Sequence, residues 1–141
     1  MIDEPIRRFL SRHHVMTLAT VDAAGDAWCS NEFYAFDAVR GLLIFTSGME
    51  TAHAAHMERC GRVAASVVLE TRIVGRVQGC QIRGTAARGD GEARRHYLRR
   101  FPYAAAMMPQ TEVWAVRIDY MKFTDNTLGF GKKLIWQRDT D

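Results

Sequence analysis

From Val15 to Phe45 the chain reads as short extended runs joined by turns too tight to hold a crossover helix, and this excludes most architectures. Val15 to Val21 and Ala27 to Phe36 alternate in the manner of strands, with Ala23-Ala24-Gly25-Asp26 as a hairpin turn between them. Asp37-Ala38-Val39-Arg40-Gly41 is a second turn, leading into the apolar run Leu42-Leu43-Ile44-Phe45. Three strands so connected make an antiparallel meander. A doubly wound sheet would need regular strand–helix alternation, which is missing.

The rest of the chain continues this pattern. Ile2, Ile6, Phe9 and Leu10 recur at helical spacing and predict a short amphipathic helix ending near His13, with Asp3 as its N-cap and Pro5 in the first turn. Thr51 to Cys60 predicts a second helix, closed by Gly61 as its C-terminal cap. Val63 to Leu69 and Gln78 to Ala87 read as strands around a loop, Thr71 to Val77, and Gly79 and Gly84 mark a bulge or a close backbone approach. Asp90 caps a basic helix, Glu92 to Arg100, stopped by Pro102. Glu112 to Phe123 is the clearest strand, with Trp114, Val116, Ile118 and Tyr120 expected on one face; Lys133 to Trp136 is the last. The fold class expected is mainly β with short helices (α+β): one barrel domain, residues 1–141, of six to seven antiparallel strands.

At 141 residues, 48% of them apolar and 25% charged, the chain suits one compact domain with a hydrophobic core. No apolar run approaches the roughly 20 residues that span a bilayer, and the acidic start Met1-Ile2-Asp3-Glu4 lacks a secretory signature, so a cytoplasmic location is expected. Three widely spaced cysteines, Cys29, Cys60 and Cys80, are expected to be reduced. The net charge of +3 suits an anionic ligand but is too mild to imply nucleic acid.

Four segments could carry chemistry. In Phe45-Thr46-Ser47-Gly48-Met49-Glu50-Thr51-Ala52-His53 a strand meets a helix start, whose free N–H groups and dipole favour a phosphate; Thr46, Ser47, Thr51 and His53 could add hydrogen bonds, although Thr51 could equally serve only as the helix cap. His53 and His56 share a helix face with Cys60, but no fourth metal ligand stands out, so no metal site is expected. Gly129-Phe130-Gly131-Lys132-Lys133 has neither the spacing nor the following helix of a P-loop. Arg94, Arg95, Arg99 and Arg100 spread around their helix as a solvated face would. Hydrolase signatures are absent, whereas flavin chemistry needs few protein acids or bases.

The order of elements resembles the pyridoxamine 5′-phosphate oxidase-like FMN-binding split β-barrel. The segment Lys122-Phe123-Thr124-Asp125-Asn126-Thr127-Leu128-Gly129-Phe130-Gly131-Lys132-Lys133-Leu134-Ile135-Trp136, with Trp28-Cys29-Ser30-Asn31-Glu32-Phe33-Tyr34-Ala35-Phe36-Asp37 and Arg99-Arg100-Phe101-Pro102, resembles the YhbP family within that group. The resemblance implies a homodimer with FMN in clefts between subunits, and a flavin-dependent reductase or oxidase. It implies that Asn31 and Phe33 abut the ring, that Thr46, Ser47, Thr51 and His53 hold the phosphate, and that Gln81, Arg83, Lys132, Lys133 and Trp136 reach the site from either subunit. Cys29 and Tyr34 align with an arginine and a lysine of the oxidases. Loss of those cations argues for weaker FMN binding and against pyridoxamine phosphate oxidase activity itself. The alternative is a split-barrel dimer that has lost flavin and acts as a binding or structural module.

Overall fold

In the computed structural model, which describes residues 1–140, the chain forms a curled antiparallel sheet with short helices at its ends and on one face. The elements in order are α1 (Glu4–Arg12), β1 (Val15–Val21), β2 (Ala27–Phe33), β3 (Ala35–Asp37), β4 (Leu42–Ser47), α2 (Ala52–Arg59), β5 (Arg62–Val68), β6 (Gln78–Arg88), α3 (Gly91–Arg100), β7 (Glu112–Asp125) and β8 (Lys133–Gln137). Short 3-10 turns lie at Val74–Arg76, Pro102–Gln110 and Asn126–Leu128. The strand order is β2-β1-β5-β6-β7-β4-β3, with β8 added to β7. This is a split barrel: β2 and β3 are successive in the chain yet stand at opposite ends of the sheet, so curling brings the two ends to a seam.

Tyr34 makes that seam. The alternation from Ala27 to Phe36 predicts one strand, but the chain breaks at Tyr34, whose N–H donates to the carbonyl of His14 (2.9 Å) and whose hydroxyl donates to that of Leu10 (2.7 Å). The side chain is fully buried. The residue aligned with a ligand-binding lysine is therefore a tie between α1 and the barrel.

Inside the curl, alternate residues of each strand form the main core. Met16 and Leu18, Val63, Ala65 and Val67, Cys80 and Ile82, and Trp114, Val116 and Ile118 converge with Ile6, Phe9 and Leu10 of α1. A second cluster lies outside the sheet, where Tyr97, Phe101 and Met108 cover Ile44 and Val113. Thus α3 and the 3-10 turn after it roof one half of the outer face. The other half, over β2, β1, β5, β6 and the end of β7, has no roof.

Three local expectations need correction. Asp3 occupies the N-cap position of α1 but makes no side-chain cap bond. Cys60, in extended conformation, ends α2, and Gly61 serves a different purpose: a Cβ there would lie 2.9 Å from the Ala86 carbonyl. In β7 the alternation is not continuous. Arg83 pairs with Tyr120 and Gly84 with Ile118, so Asp119 is an extra residue and β6–β7 is bulged where a glycine had pointed to a bulge. Beyond it Met121 and Phe123 face the core, and Tyr120 points outward rather than joining Trp114, Val116 and Ile118.

Candidate functional site

The junction of β4 and α2 holds a compact polar cluster. Thr51 is the N-cap of α2 and its hydroxyl accepts from Ala54 N–H (3.2 Å). Ser47 Oγ lies 3.0 Å from Thr51 Oγ1 and 2.7 Å from His53 Nε2. Both Ser47 and His53 are buried. The structure also brings in a residue that sequence reasoning missed: Glu32 Oε1 approaches His53 Nε2 to 2.8 Å. His53 Nε2 shares its hydrogen bonds with Ser47 Oγ and, at 3.3 Å, Thr51 Oγ1, the donor depending on the tautomer, and Glu32 Oε1 is left buried without a hydrogen bond. Thr46, on the other face of β4, lies beside the Tyr97 phenol, which burial pushes up. His53 and His56 go to different partners, since His56 Nδ1 shares a 2.8 Å hydrogen bond with Thr20 Oγ1.

The signal for Glu32 was present but weak. Its neighbours Asn31 and Phe33 fall on the opposite face of β2, so a carboxylate at position 32 had to point inward, toward α2. An inward charge on a strand needs a partner.

β2 has one paired side only. Tyr34 N–H bonds His14 O, and hydrogen-bonded pairs alternate along an antiparallel ladder, so Glu32, Ser30 and Trp28 bond toward β1. The backbone N–H and C=O groups of Cys29, Asn31 and Phe33 face the free edge. Phe33 is 57% and Trp28 53% exposed, leaving a bare edge flanked by aromatic rings. Asn31 is steadied by Thr17, whose hydroxyl donates to its Oδ1 (3.0 Å), and the Phe33 ring stands edge-on to Phe101 at 6.0 Å.

On the unroofed outer face lies a hollow of about 430 Å³, floored by Thr17, Ala19, Cys29, Ala64 and Ser66. Gln81 and Arg83, both expected in a binding site, line it together with Tyr120 and Lys122, which were not. The Arg83 guanidinium lies 4.7 Å over the Tyr120 ring. An adjoining hollow of about 780 Å³ continues past Arg62 to Gln137. The β7 bulge turns Tyr120 into this face, which explains why unbroken alternation missed it.

Within one chain the C-terminal residues stand apart from the α2 cluster. Lys132 and Lys133 are exposed beside the Asn126–Leu128 turn. Trp136 sits opposite Met121 on the core side of β8, half-buried, with the Arg138 guanidinium 5.6 Å over its ring. Among the described residues no cluster of metal-ligating side chains occurs, and no helix is long and apolar enough to cross a membrane.

A seven-strand path split at β2 and β3, with a helix start beside the seam, defines a class, and the sequence profile of the pyridoxamine 5′-phosphate oxidase family matches residues 2–125. The chain belongs to that family. It is 43% identical over 139 residues to the UPF0306 protein YhbP of Salmonella paratyphi A, covering 96% of this chain and 92% of the relative. Among solved structures it is similar to a heme binding protein from Mycobacterium smegmatis (TM-score 0.80, 20% identity), covering 95% of this chain and 57% of that one, so it spans little more than half of that protein's length. It is also similar to an FAD-binding protein from Mesorhizobium loti (TM-score 0.71, 13% identity), covering 86% of this chain and 92% of that one. Likenesses at such identities concern the fold.

Proposed function

We propose that the protein is a homodimeric FMN-binding protein that acts as a flavin-dependent oxidoreductase. The observation that carries this reading is the bare edge of β2 running alongside the N-terminus of α2. A flavin ring presents donors and acceptors along one rim, which an unpaired strand edge can match, while a helix start favours its phosphate. In this reading the backbone of Cys29, Asn31 and Phe33 lines the ring, and Thr51, His53, Ser47 and Thr46 stand at the phosphate end. Gln81, Arg83 and the C-terminal Lys132, Lys133 and Trp136 reach the crevice from either subunit. Bound FMN would supply the electron transfer; this chain's residues orient it and exclude water from one face.

A flavin-free module is the second reading, and a specific observation favours it: Tyr34 is a structural tie, and His53 is closed off by Glu32 and Ser47. One titration separates the two. Added FMN is expected to lose fluorescence and to raise the melting temperature, and Thr51→Ala with His53→Ala is expected to weaken binding at least tenfold. An unchanged melting temperature and unquenched FMN would leave the flavin-free module standing.

A further inference from the structure

Resting on the FMN reading, we infer that Glu32 sets the crevice's selectivity between flavins by occupying the charge partner that a phosphate needs. Three observations place it there. Glu32 Oε1 lies 2.8 Å from His53 Nε2, the imidazole nitrogen that a ligand at the start of α2 would meet. His53 and Glu32 side chains are 11% and 12% exposed, so water screens their interaction little. That oxygen also lacks a hydrogen bond, which marks it as an acceptor held beside the helix start for its charge and not for a ladder of donors.

Two consequences follow for a ligand tail entering at Thr51. A phosphate must separate His53 from the carboxylate or share the imidazole with it, and in either arrangement two anions lie close together at low dielectric. A neutral ribityl tail meets no such opposition, because it brings no second anion to the carboxylate. Glu32 therefore lowers FMN affinity selectively and leaves riboflavin nearly untouched. The inward parity of position 32 keeps the carboxylate from turning out to solvent, since Glu32 pairs with the buried Met16.

The test compares FMN and riboflavin on the full-length protein and on Glu32→Gln, by fluorescence titration at one pH. Glu32→Gln is expected to tighten FMN roughly tenfold, the size of one charged interaction, while riboflavin moves less than twofold. Repeated in a His53→Gln background, the gain should shrink, because part of it acts through the imidazole. Equal tightening of both flavins would assign Glu32 a structural role and overturn the inference. So would unchanged FMN affinity in a wild type that binds FMN. If neither flavin binds wild type or variant, the FMN reading itself fails and this inference falls with it. Glu32→Ala, with its melting temperature, guards against a variant that misfolds: the same FMN-to-riboflavin shift is expected from it.

Discussion

Tyr34 and Asp37 show how single side chains hold the seam. Tyr34→Phe keeps the ring but leaves the buried Leu10 carbonyl without its donor, so urea unfolding should show a loss of about 1–3 kcal/mol. Asp37 is buried, which pushes its carboxyl up. The Arg40 backbone N–H and guanidinium outweigh this and hold it below the usual range. The folded chain thus binds this proton more weakly than the unfolded one. The stabilisation is complete above the unfolded value of ~3.9 and is lost as pH falls through the depressed folded value. Asp37→Asn should be less stable than wild type at pH 6, and the gap should narrow by pH 3. The cysteines divide by environment: burial pushes the Cys80 thiol up to about 12, whereas Cys29 is exposed on the bare edge strand. Iodoacetamide should leave Cys80 unmodified in the native protein and react with it only on unfolding, with mass spectrometry as the readout.

At the scale of elements, the bulge between β6 and β7 decides which residues face out. Gly84 permits it: a Cβ there would lie 2.5 Å from the Arg117 carbonyl and 2.7 Å from Val116 Cγ1, neither of which can move cheaply. Gly84→Ala should cost about 1–3 kcal/mol in denaturant melts, whereas Gly75→Ala, with open space around it, should cost far less. Much of this level was legible in the sequence. The α3 cap is one case, since Asp90 accepts from Ala93 N–H at 2.8 Å as its position before a basic helix implied. The break at Tyr34 was not legible, because Phe33-Tyr34-Ala35 alternates like an unbroken strand and only the long-range bonds to His14 and Leu10 reveal the corner. The reversed parity after Asp119 was hidden for a related reason: one unpaired residue changes no composition.

For the whole molecule, the helices cover one half of the outer face and leave the other to water. That half combines small residues with exposed Val68 and Ile135, beside the edge of β2 that pairs with no strand. Exposed edges of this kind need a cover, and a second copy of the chain is the one expected. Sedimentation should give the mass of a dimer, and Ala64→Arg, which puts a charge on the floor of the hollow, should shift it toward monomer. The sequence indicated the helix-start cluster but not its acidic member, and it listed Gln81 and Arg83 without Lys122. Lys122 joins its group through the pairing of β6 with β7, and Glu32 meets His53 of α2, which no strand pairs with; local pattern records neither.

The seam is pinned at both extremities. Tyr34 joins its two lips directly at one, and at the other Arg59 of α2 grips the β1–β2 hairpin through the carbonyls of Val21 and Asp22. Between those pins runs β2, seven residues, or roughly 23 Å at ~3.3 Å per residue. The opening is therefore a slot of set length rather than jaws that widen, and it acts as a ruler: whatever lies along it is measured before it is recognised.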